Sequence, residues 1–287
     1  MQTLTTIRSL LASAGLRPNK KLGQHFLIDG NLMRKLVASA EVEPRDVVLE
    51  VGCATGSLTR ELAGQAGAVV AVEVDRRLAE IAGAELADLD NVTLLHCDVL
   101  ASKTQIDPQV LAALDEARGR WDGRVLLVAN LPYQVASPLV IDLLTGSVAF
   151  ARICFTVQKE VAGRLLANPS GRTYGPLSVI VQALATVRRI AAVPPQAFWP
   201  RPAVDSTMVR LDPDPDRRQR IGDVTHFVGV VKACFSHRRK TLGHNLTVAY
   251  GQGVADRVLT GGQIESRTRP EQLDPTSWVE LARRLAE

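Results

Sequence analysis

Asn130-Leu131-Pro132-Tyr133 is the stretch of this chain best equipped for chemistry. It follows the apolar run Val125-Leu126-Leu127-Val128-Ala129, which reads as a buried strand. An Asn at the end of such a strand, with a Pro to stop it, puts a side-chain amide at a sheet's carboxyl edge, where open α/β sheets take their ligands. The amide carries an acceptor and a donor. Pro132 holds residue 131 extended, which aims the Leu131 carbonyl outward, and Tyr133 adds a flat aromatic face. Two acceptors beside a stacking surface suit a planar heterocycle with an exocyclic amino group. For an arbitrary Asn-Leu-Pro-Tyr, a capped strand end over a core tyrosine is the better reading; here the strand ends upstream reverse that.

Those upstream elements are three. Val47 to Val51 reads as a strand running into the turn Gly52-Cys53-Ala54-Thr55-Gly56 and then a helix from about Leu58 to Ala63. Gly52 allows a tight turn and close approach of backbone to ligand. Ala68 to Val74 forms a second strand ending in Glu73-Val74-Asp75, where an acid accepts hydrogen bonds from ribose hydroxyls. Val92 to His96 forms a third, ending in Cys97-Asp98, with Asp98 placed to accept from an adenine amino group. Each signal is weak alone. Three polar strand ends in succession, with Asn130 as the fourth, describe a nucleoside pocket. The turn is not Gly-x-Gly-x-x-Gly and no Gly-Lys-Ser/Thr follows, which disfavours NAD and nucleoside triphosphates. S-adenosylmethionine, a nucleoside without phosphate, fits such a turn.

The rest of the chain supplies the frame. Apolar residues spaced from Leu4 to Ala14 predict a helix ended by Gly15, and Asp29 or Asn31 can cap the next one. Lys20 and Lys21 could touch phosphate, though solvation of a loop is the simpler reading. Residues 101–123 are a polar excursion with one helix from about Pro108 and no chemistry of their own. Further helices are predicted over 137–144, from Lys159, and over 177–185, and strands over 153–158, 187–193 and 204–211. Between the last two strands, four prolines stiffen Pro194 to Pro202 around Phe198 and Trp199, one of which could close the second face of a base pocket; for Trp199 ordinary packing is favoured. Asp212-Pro213-Asp214-Pro215-Asp216 reads as a linker. Helical spacing from Val224 to Phe235 leads into Arg238-Arg239-Lys240, three cations with no acid four residues away, which resemble a phosphate contact.

The totals agree with this division. Residues 1–150 carry 14 Lys/Arg against 18 Asp/Glu, and residues 151–287 carry 20 against 12. An acidic first half and a basic second half suggest a small-molecule site joined to a polyanion-binding surface. Cys53, Cys97, Cys154 and Cys234 are scattered, without a Cys-x-x-Cys pair, and point to buried thiols in a reducing compartment and to no metal. No apolar segment reaches the ~18 residues of a membrane span, and the first residues do not form a convincing secretion signal.

With these residues in place, the chain resembles the ribosomal RNA adenine dimethyltransferases that modify two adjacent adenosines of the small-subunit RNA. The resemblance runs over nearly the whole chain. It rests on Gly23-Gln24-His25-Phe26-Leu27, Glu50-Val51-Gly52, Glu73-Val74-Asp75, Asn130 to Tyr133, Gln158-Lys159-Glu160-Val161, Tyr174 to Ser178, Val193 to Phe198 and Phe235 to Leu242. It implies an α/β, Rossmann-like class I S-adenosylmethionine-dependent methyltransferase domain over residues 1–212, with a seven-stranded, mostly parallel sheet. A small helical RNA-binding domain is expected over 213–287. His25, Leu27, Gly52, Glu73, Asp98 and Asn130 stand at its cofactor positions. Asn130, Leu131, Pro132 and Tyr133 stand at its target-base positions, with Phe198 at that of a second stacking aromatic. Arg238, Arg239 and Lys240 are expected to meet RNA. The family commonly has Gly-x-Gly-x-Gly in the first turn, so Ala54 adds a methyl group there. The implied partner is the small ribosomal subunit with its 16S rRNA, met in the cytoplasm by a monomer. A large-subunit RNA adenine methyltransferase of the antibiotic-resistance type shares the pocket, but the Phe235 to Leu242 block and the proline-rich loop fit the small-subunit group better. A ribosome-assembly factor whose binding outweighs its methylation is the alternative from another class.

Overall fold

In the computed structural model, residues 1–19, 23–102, 105–237 and 239–287 are described. Seven strands form one sheet: β1 (Val47–Val51), β2 (Ala68–Glu73), β3 (Val92–His96), β4 (Val125–Asn130), β5 (Phe150–Gln158), β6 (Ala185–Val193) and β7 (Ser206–Pro213). Their order is β3-β2-β1-β4-β5-β7-β6. Strands β1 to β5 pair in parallel, and β7 pairs antiparallel with β5.

β1 and β4 are near-continuous runs of Val, Leu and Ala because helices cover both faces of a parallel sheet. Val48, Leu126 and Val128 bury against Leu36, Val37 and Leu62. These three belong to helices α2 (Gly30–Ala40) and α3 (Ser57–Ala63), which follow α1 (Leu4–Ser13). Of the two candidate caps for α2, Asp29 serves, accepting from the N–H groups of Asn31 and Leu32. The chain runs outward from β1 to β2 and β3, then returns to β4 on the other side of β1. That reversal opens a crevice at the carboxyl ends of β1 and β4. A separate two-stranded pairing, not expected from the sequence, sets Phe26 against Trp199 and Leu27 against Phe198.

The chain divides into two compact units, residues 1–162 with 188–212, and residues 163–187 with 213–287. The expected boundary placed 163–187 in the first domain. In the structure this segment packs with the carboxyl-terminal helices, because Tyr174 is fully buried and its hydroxyl donates to the Leu273 carbonyl at 2.9 Å. The same unit contains helices Pro176–Leu184, Val224–Cys234, Leu242–Tyr250, Gln252–Gly261 and Pro275–Ala286, with Trp278 stacked on Phe235 at 5.4 Å.

The expected linker at 212–216 is ordered structure instead. Asp212 and Pro213 finish β7, and Asp214 caps a helix over Pro215–Ile221, accepting from the N–H groups of Asp216 and Arg217. An Asp at the cap with a Pro in the first helical position is a helix start rather than a linker. Among the described residues, no helix is long and apolar enough to cross a membrane.

Candidate active site

The cavity at the carboxyl ends of β1, β2 and β4 is lined by His25, Leu27, Glu50, Gly52, Glu73, Asp98 and Asn130 to Tyr133, among others. All six expected cofactor positions therefore meet in one place, together with the target-base tetrapeptide.

Asn130 ends β4. Its Nδ2 donates to the His25 carbonyl at 3.0 Å, which fixes the amide and leaves Oδ1 buried without a partner among the described residues. His25 is itself held, its Nδ1 lying 2.6 Å from the Pro200 carbonyl. A carbonyl only accepts, so Nδ1 carries the proton. The His25 and Tyr133 rings lie 5.9 Å apart, tilted by 30°. The Tyr133 hydroxyl shares a 2.9 Å hydrogen bond with Ser206 at the start of β7. Burial pushes this phenol's pKa up, the Ser206 bond partly opposing the shift.

Gly52 explains why the turn after β1 begins with glycine. Its φ is +77°, and a Cβ added there would sit 3.1 Å and 3.2 Å from two Pro132 carbons. The cofactor turn and the tetrapeptide are thus in direct contact. Ala54 also has positive φ, +54°, and its N–H donates to Glu73 Oε2 at 2.9 Å, while Asp75 N–H donates to Oε1 at 2.9 Å. Glu73 is buried, and burial raises its pKa against these two bonds. Each Glu73 oxygen keeps a lone pair for a hydroxyl donor. Asp98 is exposed at the cavity edge, one carboxylate oxygen accepting from Leu100 N–H at 3.0 Å. Gln24, in the block before His25, donates to Asp75 at 2.9 Å and ties that block to the end of β2.

Glu50 was not among the expected site residues. It is 2% exposed, lines the cavity, and has an Oε2 with no partner among the described residues. Burial, with the Glu73 charge adding to it, pushes its carboxyl up to about 8. An acid in the middle of Val47-Val48-Leu49-Glu50-Val51 was the signal that marks it.

Two expectations are placed elsewhere or lie outside the described residues. Phe198 is 3% exposed in the core cluster with Leu27, Met33 and Val193 and does not line the cavity. Its alternation with Trp199 turns its ring inward, and Trp199 instead meets Phe26 at 6.0 Å. Arg239 and Lys240 are exposed in the second unit just before Thr241, which caps Leu242–Tyr250. Arg238, Lys20 and Lys21 lie outside the described residues.

The residues present suit a nucleoside cofactor without phosphates. The strand ends offer carboxylate acceptors for hydroxyl and amino groups, and at position 52 a side chain would be strained by its φ and would crowd Pro132.

The family described as Ribosomal RNA adenine dimethylase matches residues 15–287. A Ribosomal RNA small subunit methyltransferase A from Moorella thermoacetica is 38% identical over 278 residues, 96% of each chain. One of the same name from Bacillus licheniformis is 38% identical over 285 residues, 98% of this chain and 95% of the relative. Among solved structures, a dimethyladenosine transferase from Plasmodium falciparum matches with a TM-score of 0.73 at 24% identity, over 90% of this chain and 96% of that one. The 23S rRNA methyltransferase ErmE matches with a TM-score of 0.64 at 22% identity, over 91% and 100%. These two structural likenesses speak to the fold.

Proposed function

The chain belongs to the ribosomal RNA adenine dimethylase family, and from that premise we propose that it methylates the N6 amino groups of two adjacent adenosines in the 3′-terminal hairpin of 16S rRNA, with S-adenosylmethionine as donor. It is an enzyme, a ribosomal RNA adenine dimethyltransferase. The donor, when bound, supplies a methyl group already activated on a positively charged sulfur.

The observation that carries this reading is the buried, unpartnered Oδ1 of Asn130 beside Tyr133. An adenine amine has two hydrogens and a lone pair delocalised into the ring. Asn130 Oδ1 and the Leu131 carbonyl accept the two hydrogens and so turn the lone pair toward the donor side of the cavity. Tyr133 stacks on the base, a contact worth roughly 1–3 kcal/mol, and Pro132 fixes the turn that carries both neighbours. Glu73 holds the ribose hydroxyls and Asp98 the adenine amino group of the donor, while His25, Leu27 and Gly52 form its walls. Because the methyl group is already activated, the residues' task is alignment rather than proton abstraction. The target adenosine has to leave its stack to reach the site. Arg239 and Lys240 supply part of the phosphate contact.

The small-subunit target is supported by the names of relatives 35–38% identical over almost the full chain; the large-subunit enzyme is similar only at the level of fold. The test is transfer of tritiated methyl groups to small subunits lacking the modification, with primer-extension mapping of the product. Wild-type chain is expected to label the paired adenosines, and Asn130→Ala to lose turnover by about hundredfold. Near-normal turnover in that variant would remove Asn130 from its role, and labelling of large-subunit RNA alone would overturn the substrate.

A further inference from the structure

The amino-terminal segment has no part in the chemistry above, yet it is laid over the cofactor turn. Gln2 reads that turn from both sides of its amide. Its side-chain oxygen accepts from the Thr55 hydroxyl at 2.6 Å. Its nitrogen donates to the Thr55 carbonyl at 3.0 Å and to Glu85 at 3.1 Å. Its backbone N–H donates to Ser57 Oγ at 3.0 Å. Thr55 is buried, so the Gln2 oxygen gives its hydroxyl an acceptor that the cofactor turn does not have to supply.

From there the chain enters α1, capped by Thr3. Ile7 and Leu11 bury with Phe26 and Leu78 into one apolar cluster. Ile7 is also a wall of the cofactor cavity. α1 is held further along as well: at its middle Arg8 lies over the Trp199 ring at 5.2 Å, and at its end the Arg77 guanidinium donates to the Ala14 carbonyl. Ala54, the residue that departs from the glycine common at this point of the turn, packs against the same cluster. Its methyl group thus adds apolar surface to the cluster in which α1 is seated, which a glycine would not. Of these ties, the Gln2 bonds to Thr55 and to Ser57 at the start of α3 fall directly on the turn and the helix that follows it.

We infer that residues 2–13 complete the cofactor site, with Ile7 a contact of the bound cofactor and Gln2 a positioning residue that holds the turn, so that docking of α1 and cofactor binding favour each other. The inference rests on the reading of the cavity as an S-adenosylmethionine site. Linkage of this kind is reciprocal: whatever the docked segment adds to affinity, the ligand returns as docking.

The experiment pairs calorimetric titration of S-adenosylhomocysteine with hydrogen exchange of the full chain. In the wild type, the ligand is expected to slow exchange of the amides of residues 4–13. In Gln2→Ala, checked as folded by its circular dichroism, Kd is expected to rise roughly tenfold, the scale of one to two net hydrogen bonds. An unchanged Kd in that variant overturns the inference. So do wild-type amides over 4–13 that exchange equally with and without ligand, a measurement that needs no variant to fold. A wild-type chain that did not bind S-adenosylhomocysteine would instead overturn the reading of the cavity itself, and the inference with it.

Discussion

The two ends of the parallel strands treat polar groups in opposite ways. At the amino ends, charges are matched. Asp46, 1% exposed just before β1, accepts from Arg124, which precedes β4, through the backbone N–H at 2.9 Å and the guanidinium at 2.6 Å, and from Glu43 N–H at 2.8 Å. Glu41 bridges Arg152 of β5 and Arg210 of β7 at 2.8 Å and 2.7 Å, and both arginines share Asp212. At the carboxyl ends, Asn130 Oδ1 and Glu50 Oε2 are buried with no partner among the described residues. The same sheet carries both conditions, so the orphaned atoms do not reflect a chain that cannot pair its polar groups. A buried acceptor left open costs stability, and the guest hydrogen proposed for Asn130 Oδ1 would offset that cost.

Four measurements would break or sharpen that contrast. The largest effect is expected from Gly52→Ala. The new methyl group meets Pro132 at about 3.1 Å with φ in the left-handed region, so turnover should fall by about hundredfold through displacement of the tetrapeptide. Full activity there would mean that the two halves of the site are not in register through this contact. At the opposite end, Asp46→Ala removes the buried partner of Arg124, which keeps Glu43 at 3.2 Å and the Glu41 carbonyl at 2.7 Å. We expect a loss of about 2 kcal/mol in urea unfolding, reduced because Arg124 is partly exposed, with S-adenosylhomocysteine affinity preserved. A parallel loss of affinity would erase the distinction between scaffold end and binding end.

The third measurement uses pH, because the two ends have opposite signs. The Glu50 carboxyl is raised from 4.5 to about 8. Between those values the folded chain binds more protons than the unfolded one, and stability of the ligand-free protein should fall as pH rises through that window. Glu50→Gln should flatten the slope. Burial acts on Asp46 most strongly and would raise it, but the Arg124 and backbone bonds together hold it below its usual 3.8. Its contribution is therefore present above that value and lost as pH falls further. An unaltered slope in the Glu50→Gln protein would show that this carboxyl does not titrate where the geometry places it. The smallest effect is expected from Tyr133→Phe, which keeps the stacking face and removes only the bond to Ser206. A cost of about 1 kcal/mol is expected, and turnover assays losing more than about tenfold would give the hydroxyl a role beyond holding the ring.

Of this contrast, the carboxyl ends are legible in the sequence, and the pairing of Asp46 with Arg124 and of Glu41 with Arg152 and Arg210 at the other ends is not. The runs Val47 to Val51 and Val125 to Ala129 read as buried strands because both faces are covered, and the polar strand ends at Glu73, Asp98 and Asn130 marked the crevice. What stayed hidden depended on contacts distant in sequence. Residues 163–187 read as part of the first domain since nothing local reveals that Tyr174 reaches Leu273. Phe198 read as a pocket aromatic, but the two-residue pairing with Leu27 decides which way alternate side chains face, and no periodicity shows in so short an element. Asp214-Pro215 read as a linker through proline's reputation as a breaker, although Asp followed by Pro is also how a helix starts. Glu50 was visible as an acid inside an apolar strand, but its missing partner was not.

The pinned amide of Asn130 bears on how a second methyl follows the first. Because His25 anchors one side of that group, the role proposed for its oxygen asks for no rearrangement of the amide between rounds: the same atom would take whichever hydrogen the half-alkylated amine still carries, and the turn would fall to that amine, about its bond to the purine.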